Sequence, residues 1–172
     1  RSVRLTGRTG FRVLSCTYLG RTRSQQMGLL GKLFGGKRKS TLEDDRFGTI
    51  HLLRHNRGNS VWAGKWDMED GTLEFFVQGD EQAPFEEALA KLEGIITESA
   101  LLNDSRTAVV ETLRNAEPAY PVSRFDQDMQ LAGIHVKTNE DFVITYKQRH
   151  DPFYLFNAHF ENGQVTDVSI DS

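Results

Sequence analysis

The sequence predicts an α+β protein with a mostly antiparallel sheet of about seven strands and two helices packed on one face. Short runs of β-branched and aromatic residues alternate with Asn, Asp and Gly turns near both ends of the region 47–172. Between them, one stretch changes to helical spacing. Three strands, then two helices, then four strands lack the strand–helix alternation of a parallel α/β fold.

The first three predicted strands form a meander, because Asn56-Arg57-Gly58-Asn59 and Glu69-Asp70-Gly71 supply tight turns between them. The period-2 alternation puts Trp62, Gly64 and Trp66 on one face of the second strand. Two large rings on one pleat predict that this face is covered, and Gly64 leaves room for a neighbouring side chain. The predicted strands are 48–55, 60–68 and 72–78.

Apolar residues over 85–96 then recur at helical spacing, with Pro84 suited to the first turn. We expect Asn103-Asp104-Ser105 to break the chain and cap a second helix, which ends before Pro118. The last four strands are predicted at 129–138, 142–148, 154–160 and 164–170, with Glu161-Asn162-Gly163 as the hairpin turn of the final pair.

The charge is distributed asymmetrically along the 172 residues, although the net charge is only −3. Residues 1–40 contain ten Lys or Arg and no acid, so residues 41–172 hold 11 basic and all 24 acidic residues. This acidic body disfavours contact with nucleic acid or an anionic membrane and favours a basic protein partner. No specific nucleic acid is expected as a partner.

We divide the chain into three parts. Residues 1–26 lack Met and acidic residues and are predicted to be a non-native or disordered basic extension, with a mitochondrial transit peptide as the less favoured alternative. Residues 27–46 are predicted to be a flexible basic leader, and 47–172 a single domain. Within the leader, an apolar and basic stretch is a candidate membrane contact, although its glycines also fit a disordered segment. The candidate residues are Leu29, Leu30, Leu33, Phe34, Lys37, Arg38 and Lys39.

No catalytic residue, metal ligand or cofactor site is predicted. Cys16 is the only cysteine, which rules out an intrachain disulfide and fits a reducing compartment, so we predict a cytoplasmic location. His150 and His159 come from adjacent predicted strands, but their spacing matches no metal motif. The serines lack a nucleophile-elbow motif, and no glycine-rich phosphate loop is present. A non-enzymatic protein is therefore favoured.

Several side chains form a candidate binding surface. Phe153 and Tyr154 follow Pro152 in a predicted loop, where they would be exposed anchors for a partner. The other candidates are aromatic, acidic or histidine side chains of neighbouring segments: Trp62, Trp66, His150, Asp151 and His159.

Two passages resemble a family of small bacterial domains of unknown function. One is Phe47-Gly48-Thr49-Ile50 followed by Trp62-Ala63-Gly64-Lys65. The other runs from Asp151-Pro152-Phe153-Tyr154 to Glu161-Asn162-Gly163-Gln164-Val165. The resemblance covers residues 43–172 and implies a bacterial domain without catalytic residues. Some members resemble immunity proteins, which are found beside toxins.

The leading hypothesis is thus a non-enzymatic binding protein of the immunity type, which uses an acidic surface to bind a basic protein. One alternative is a small-ligand binder or an enzyme with a pocket between sheet and helices. Another is a membrane-surface protein that attaches through residues 28–39. An acidic patch with exposed Phe153 and Tyr154 would favour protein binding, whereas a closed pocket with converging His, Asp and Trp would favour a ligand.

Overall fold

The structure is a computed structural model that describes residues 40–56, 59–68, 71–138, 140–151 and 153–172. The described residues belong to one compact unit, Lys39–Ser172. The predictions for the extension 1–26 and for the membrane contact between Leu29 and Lys39 lie outside the described residues.

The described residues form one sheet in which eight strands follow each other in chain order. Every neighbouring pair is antiparallel except β4 and β5, which run parallel. The predicted α+β class and mostly antiparallel sheet are confirmed. The strands are β1 Thr41–Asp44, β2 Gly48–Asn56, β3 Asn59–Met68, β4 Gly71–Gly79, β5 Met129–Val136, β6 Phe142–Gln148, β7 Leu155–Glu161 and β8 Gln164–Asp171.

The sheet has one strand more than predicted because residues assigned to the leader pair with β2. In β1, Leu42 lies opposite Ile50, and Asp44 lies opposite Gly48. Four residues are too few to show an alternating pattern in the sequence, so the strand was missed.

Two helices cover one face of the sheet, as predicted. Helix α1, Glu86–Thr97, packs against β4 and β5, and helix α2, Ser99–Ala116, packs against β7 and β8. A 3₁₀ turn, Val122–Arg124, and the one-turn helix α3, Phe125–Asp128, then lead into β5. These last two elements were not predicted.

The predicted break between the helices is wrong. The break lies at Glu98, whose backbone is extended, and Asn103-Asp104-Ser105 lies inside α2. Ser105 is fully buried; its hydroxyl donates to the Leu102 carbonyl at 2.8 Å and lies 2.7 Å from the hydroxyl oxygen of Tyr146. A tertiary hydrogen bond therefore satisfies a side chain that would otherwise favour a cap.

The core lies between the helices and the covered face. In β4, Leu73, Phe75 and Val77 point toward the helices and are fully buried, while the residues between them are partly exposed. Trp62 is also fully buried, and Trp66 is half-buried with its ring edge-on to Phe47 at 5.6 Å. The expectation that the face bearing both tryptophans is covered is confirmed.

Gly64 leaves the space that the sequence predicts. It lies directly opposite Phe75 in the β3–β4 ladder, and the Phe75 ring lies against it. A Cβ atom at position 64 would collide with the Cζ atom of that ring. The absence of a side chain at Gly64 thus leaves room for the tip of a fully buried aromatic ring against β3.

No described helix packs on the opposite face, where one cross-strand row runs through Ala63, Phe76, His135, Val143 and His159. The His135 ring meets the Phe76 ring edge-on at 6.0 Å. Burial, together with the nearby charge of Lys137, lowers the pKa of His135 from its ordinary value of 6.5. The folded protein therefore favours neutral His135.

Replacing Gly64 by Ala should lower the free energy of unfolding by about 1–3 kcal/mol, because the Phe75 ring must move out of its packed position. The matched control is Gly94→Ala in α1, where the new Cβ would make only an ordinary contact with Glu98. This control should gain about 0.5–1 kcal/mol from the reduced backbone entropy of the unfolded chain. Urea unfolding measures both changes, and an equal effect at the two positions would contradict the packing argument.

The low pKa of His135 predicts a pH-dependent loss of stability. As the pH falls below 6.5, the unfolded chain binds a proton at this histidine before the folded protein does, so the free energy of unfolding decreases. His135→Gln should reduce the decrease in unfolding free energy that urea unfolding measures between pH 7.5 and pH 5. These two pH values lie about one unit or more on either side of the ordinary histidine pKa of 6.5. His150→Gln, at an exposed position, should keep the loss seen in the parent protein.

Candidate functional site

One end of the sheet brings several chain reversals together. Because a cleft opens there, we call it the cleft end. Met68 and Gly71 pair at this end, as do Met129 with Gln148 and Leu155 with Asp171. The parallel pairing of β4 with β5 places the start of both strands there. The cleft end therefore combines the β3–β4 and β6–β7 connections with the entry from α3 into β5.

Large apolar side chains are exposed at the cleft end. Phe153 is 78% exposed and Tyr154 is 45% exposed, in the connection between β6 and β7. Met68 ends β3, and Ile170 is the residue opposite Phe156 near the end of β8; both are also exposed. Large exposed apolar side chains often take part in contacts with other molecules, so these residues are a candidate contact surface.

The β6–β7 connection is anchored at its base. The Arg149 backbone N–H donates to the Asp128 carbonyl at 2.7 Å, and its Nε donates to the carbonyls of Asp126 and Met129. Further along, the Phe153 N–H donates to the Asp151 carboxylate at 3.3 Å. These hydrogen bonds hold Arg149 at the start of the connection and the backbone N–H of Phe153 further along it.

The predicted surface residues do not form one cluster. His150, Asp151, Phe153 and Tyr154 are all exposed and share the β6–β7 connection. The tryptophans do not join them: Trp62 is a core residue whose Nε1 donates to the Asp80 carbonyl at 2.9 Å, and Trp66 packs on Phe47.

His159 is also separate from the β6–β7 connection. It lies within β7 in the row of the uncovered face, opposite Asp167 of β8, and its Nε2 is 2.9 Å from the Ser169 hydroxyl. His150 and His159 thus do not form a common site. In the described part of the chain, no group of three or more His, Cys, Asp or Glu residues could hold a metal ion.

A cleft of about 230 Å³ opens at the same end, between α2 and the ends of β5 and β6. Its walls combine arginines and amides with apolar side chains, and the sequence analysis did not single it out. Its polar members are too far apart in the chain to form a motif. The lining residues are Met68, Gly71, Leu102, Asn103, Arg106, Phe125, Asp126, Met129, Gln130, Leu131, Tyr146 and Arg149.

Arg106 is the central charged residue of the cleft wall. Its Nη2 donates to the Asp126 carboxylate at 2.8 Å and to the Val122 carbonyl at 3.3 Å, and its guanidinium lies over the Phe125 ring at 5.2 Å. Its Nε is buried and has no hydrogen-bond partner among the described residues. A buried donor without an acceptor costs about 1–3 kcal/mol, so this N–H requires an explanation.

Tyr146 is the buried hydroxyl of the same wall. Because Ser105 donates its proton to the Leu102 carbonyl, the Tyr146 hydroxyl donates to the Ser105 oxygen at 2.7 Å, and its oxygen lies 3.3 Å from that carbonyl. Burial raises the pKa of Tyr146, and the hydrogen bond with Ser105 opposes this only in part. The phenol is therefore a neutral donor at physiological pH, and it joins β6 to α2 beside the cleft.

No protein-family model, curated protein or solved structure matches this chain. Among the described residues, no helix is both long and apolar enough to cross a membrane.

The buried pair of Ser105 and Tyr146 should be energetically coupled. Ser105→Ala and Tyr146→Phe should each cost about 1 kcal/mol of unfolding free energy, and the double variant less than their sum, with a coupling of about 0.5–1.5 kcal/mol. Urea unfolding of the four proteins of the cycle measures this. Ser123→Ala, at an exposed position, should change stability by less than about 0.5 kcal/mol. Strict additivity would mean that the two hydroxyls do not interact.

Proposed function

We propose that the protein is a non-enzymatic binding protein that recognises a basic protein partner. Phe153 and Tyr154 would be the apolar anchors, and surrounding carboxylates would select the charge of the partner. The observation that carries this proposal is the 78% exposure of Phe153 on a loop held by hydrogen bonds.

The free-energy cost of exposing aromatic rings to water supports an anchor role for Phe153 and Tyr154. An aromatic ring in water loses the free energy that its burial would provide, and aromatic residues are among the commonest energetic centres of protein interfaces. The hydrogen bonds of Arg149 and Asp151 restrain two points of the connection, which lowers the conformational entropy that binding would cost. An exposed aromatic ring on a partly restrained backbone fits an interface anchor.

The exposed charge supports a basic partner. Asp151 adjoins Phe153 through its hydrogen bond, and Asp171 lies opposite Leu155 at the next strand end. Carboxylates also dominate the rest of the described surface and would steer a positively charged protein toward it. The exposed acids are Glu43, Asp45, Asp67, Asp80, Glu81, Glu86, Glu87, Glu98, Asp104, Glu111, Glu117, Asp126, Glu140, Asp151, Glu161, Asp167 and Asp171.

The particular form of this function that we propose is inhibition of a basic toxin in the bacterial cytoplasm, as an immunity protein. Support comes from the acidic surface and from the resemblance of Phe47-Gly48-Thr49-Ile50 and of the final hairpin to small bacterial domains of unknown function, some of which resemble immunity proteins. An acidic protein that covers a basic surface blocks that surface for any other negatively charged ligand. The membrane-surface alternative depends on residues 28–39, which lie outside the described residues.

Affinity capture with the full chain as bait tests the proposal in lysate of the source cell. We expect one strongly basic protein at about 50 mM salt and its loss at about 300 mM salt, since screening weakens contacts between exposed charges. The captured protein is then identified, purified and titrated against the bait. Recovery of only an acidic protein, of further copies of this chain, or of nothing in either buffer would contradict the proposal.

The double variant Phe153→Ala, Tyr154→Ala should raise the dissociation constant for the purified partner about 30-fold or more, because it removes two interface anchors at about 1 kcal/mol or more each. Calorimetric titration measures the change. Phe85→Ala is the matched control, since Phe85 is also exposed but follows the opposite end of β4. This control should bind within twofold of the parent. Equal weakening by both variants would exclude a specific role for the β6–β7 connection.

A further inference from the structure

We propose that the cleft between α2 and the ends of β5 and β6 binds a small organic carboxylate with an apolar tail. This goes beyond the recognition of a basic protein, because the cleft uses different side chains and the opposite charge. The proposal rests on two fixed guanidinium groups, two side-chain amides and an apolar floor within one cavity.

The charge of the cleft selects an anion. Its lining contains two arginines, Arg106 and Arg149, and a single carboxylate, Asp126. That carboxylate is already paired with Arg106 at 2.8 Å. The described lining therefore carries one more positive than negative charge, although acidic residues outnumber basic ones in residues 41–172. This balance favours an anion over a cation.

Both guanidinium groups are held in place before any ligand arrives. Arg106 is fixed by Asp126, by the Val122 carbonyl and by the Phe125 ring. Arg149 is fixed through its Nε by two main-chain carbonyls. A guanidinium presents five N–H donors in one plane, and these side-chain hydrogen bonds of Arg106 to described residues all leave from Nη2. Because both Nη2 protons are used in this way, Nη1 is the nitrogen that can donate to an oxygen of a bound carboxylate.

The buried Nε of Arg106 is the donor that the protein itself leaves without an acceptor in the described part of the chain. Buried donors without partners are rare in folded proteins, and each calls for an explanation such as a bound water or ion. This N–H belongs to an arginine that lines the cleft.

The remaining lining favours a carboxylate with a short apolar tail over an inorganic anion. Met68, Leu102 and Leu131 supply apolar surface, while Asn103 and Gln130 place amides in the lining. The volume of about 230 Å³ equals roughly eight water molecules, so a ligand of roughly eight non-hydrogen atoms fits. Hexanoate has that size and combines a carboxylate with a five-carbon tail, which makes it the probe of choice.

Titration of the full chain with hexanoate, followed by amide chemical shifts, tests the proposal. We expect saturable binding at one site with a dissociation constant of about 1 mM to tens of mM, as suits so small a ligand. Hexanamide has the same shape without the charge and should bind at least tenfold more weakly. Equal binding of acid and amide, or no saturation by hexanoate at about 100 mM, would overturn the proposal.

Met68 offers a variant pair that leaves both arginines in place. It is 37% exposed where it lines the cleft, so the fold should tolerate polar substitution. Met68→Glu adds a competing carboxylate and should weaken hexanoate at least tenfold, whereas Met68→Gln should stay within about threefold. Similar effects of Glu and Gln would overturn the electrostatic basis of the site.

Removal of the guanidinium provides the second test. Arg106→Gln should abolish measurable hexanoate binding, while Arg54→Gln, an identical exchange at an exposed position of β2, should leave it unchanged. Amide spectra first verify that the Arg106→Gln variant is folded, and its capture of the basic protein partner is then measured. Lost hexanoate binding with retained partner capture supports two independent sites. Retained hexanoate binding overturns the proposed carboxylate site and leaves the proposed partner binding unaffected.

The carboxylate has two possible sources, a free acid or the C-terminus of a polypeptide. The tripeptide Gly-Gly-Leu and its C-terminal amide distinguish them. Saturable binding of the tripeptide at an affinity equal to or above that of hexanoate, with loss in the amide, assigns the site to a polypeptide terminus. Binding of hexanoate alone assigns it to a free acid.

Discussion

The parallel pairing of β4 with β5 joins two antiparallel halves into one sheet. Phe75 lies opposite Ile134 and Val77 opposite Val136, so the buried side chains of both halves continue across the junction on one face. Parallel neighbours cannot be joined by a tight turn, and their connection must cross the sheet. Here the crossing segment is the pair of helices α1 and α2, which covers the apolar face of both halves.

The same junction determines where the candidate sites lie. Because β4 and β5 run in the same direction, their first residues meet at one end of the sheet, beside the connection between β6 and β7. The entry from α3 into β5 then brings Asp126 and Asp128 to Arg149, which anchors that connection. The exposed aromatic pair and the arginine-lined cleft are thus neighbours as a consequence of strand order.

The two proposed contact regions lie at the same end of the molecule. The β6–β7 connection exposes Phe153 and Tyr154 beside Asp151, whereas Arg106 and Arg149 line the cleft. Asp126 takes part in both, since it is exposed and also neutralises Arg106. The proposed ligands of the exposed acids and of the cleft arginines have opposite charges, and each set of residues can be altered by substitution without removing the other.

Local sequence patterns predicted the strands with strong alternation, the apolar stripe of the helix over 85–96, the hairpin at Asn162-Gly163 and the exposure of Phe153 and Tyr154. These features depend on residues close together in the chain: Asn162 and Gly163 both adopt positive φ, as a tight two-residue turn requires. The start of α2, the addition of β1 and the assembly of the cleft depend instead on tertiary contacts. Ser105 lies inside α2 because Tyr146 of β6 provides its hydrogen-bond partner. Arg106, Gln130 and Arg149 meet for a similar reason: they come from a helix, a strand and a loop that are distant in sequence, and no local pattern encodes their approach.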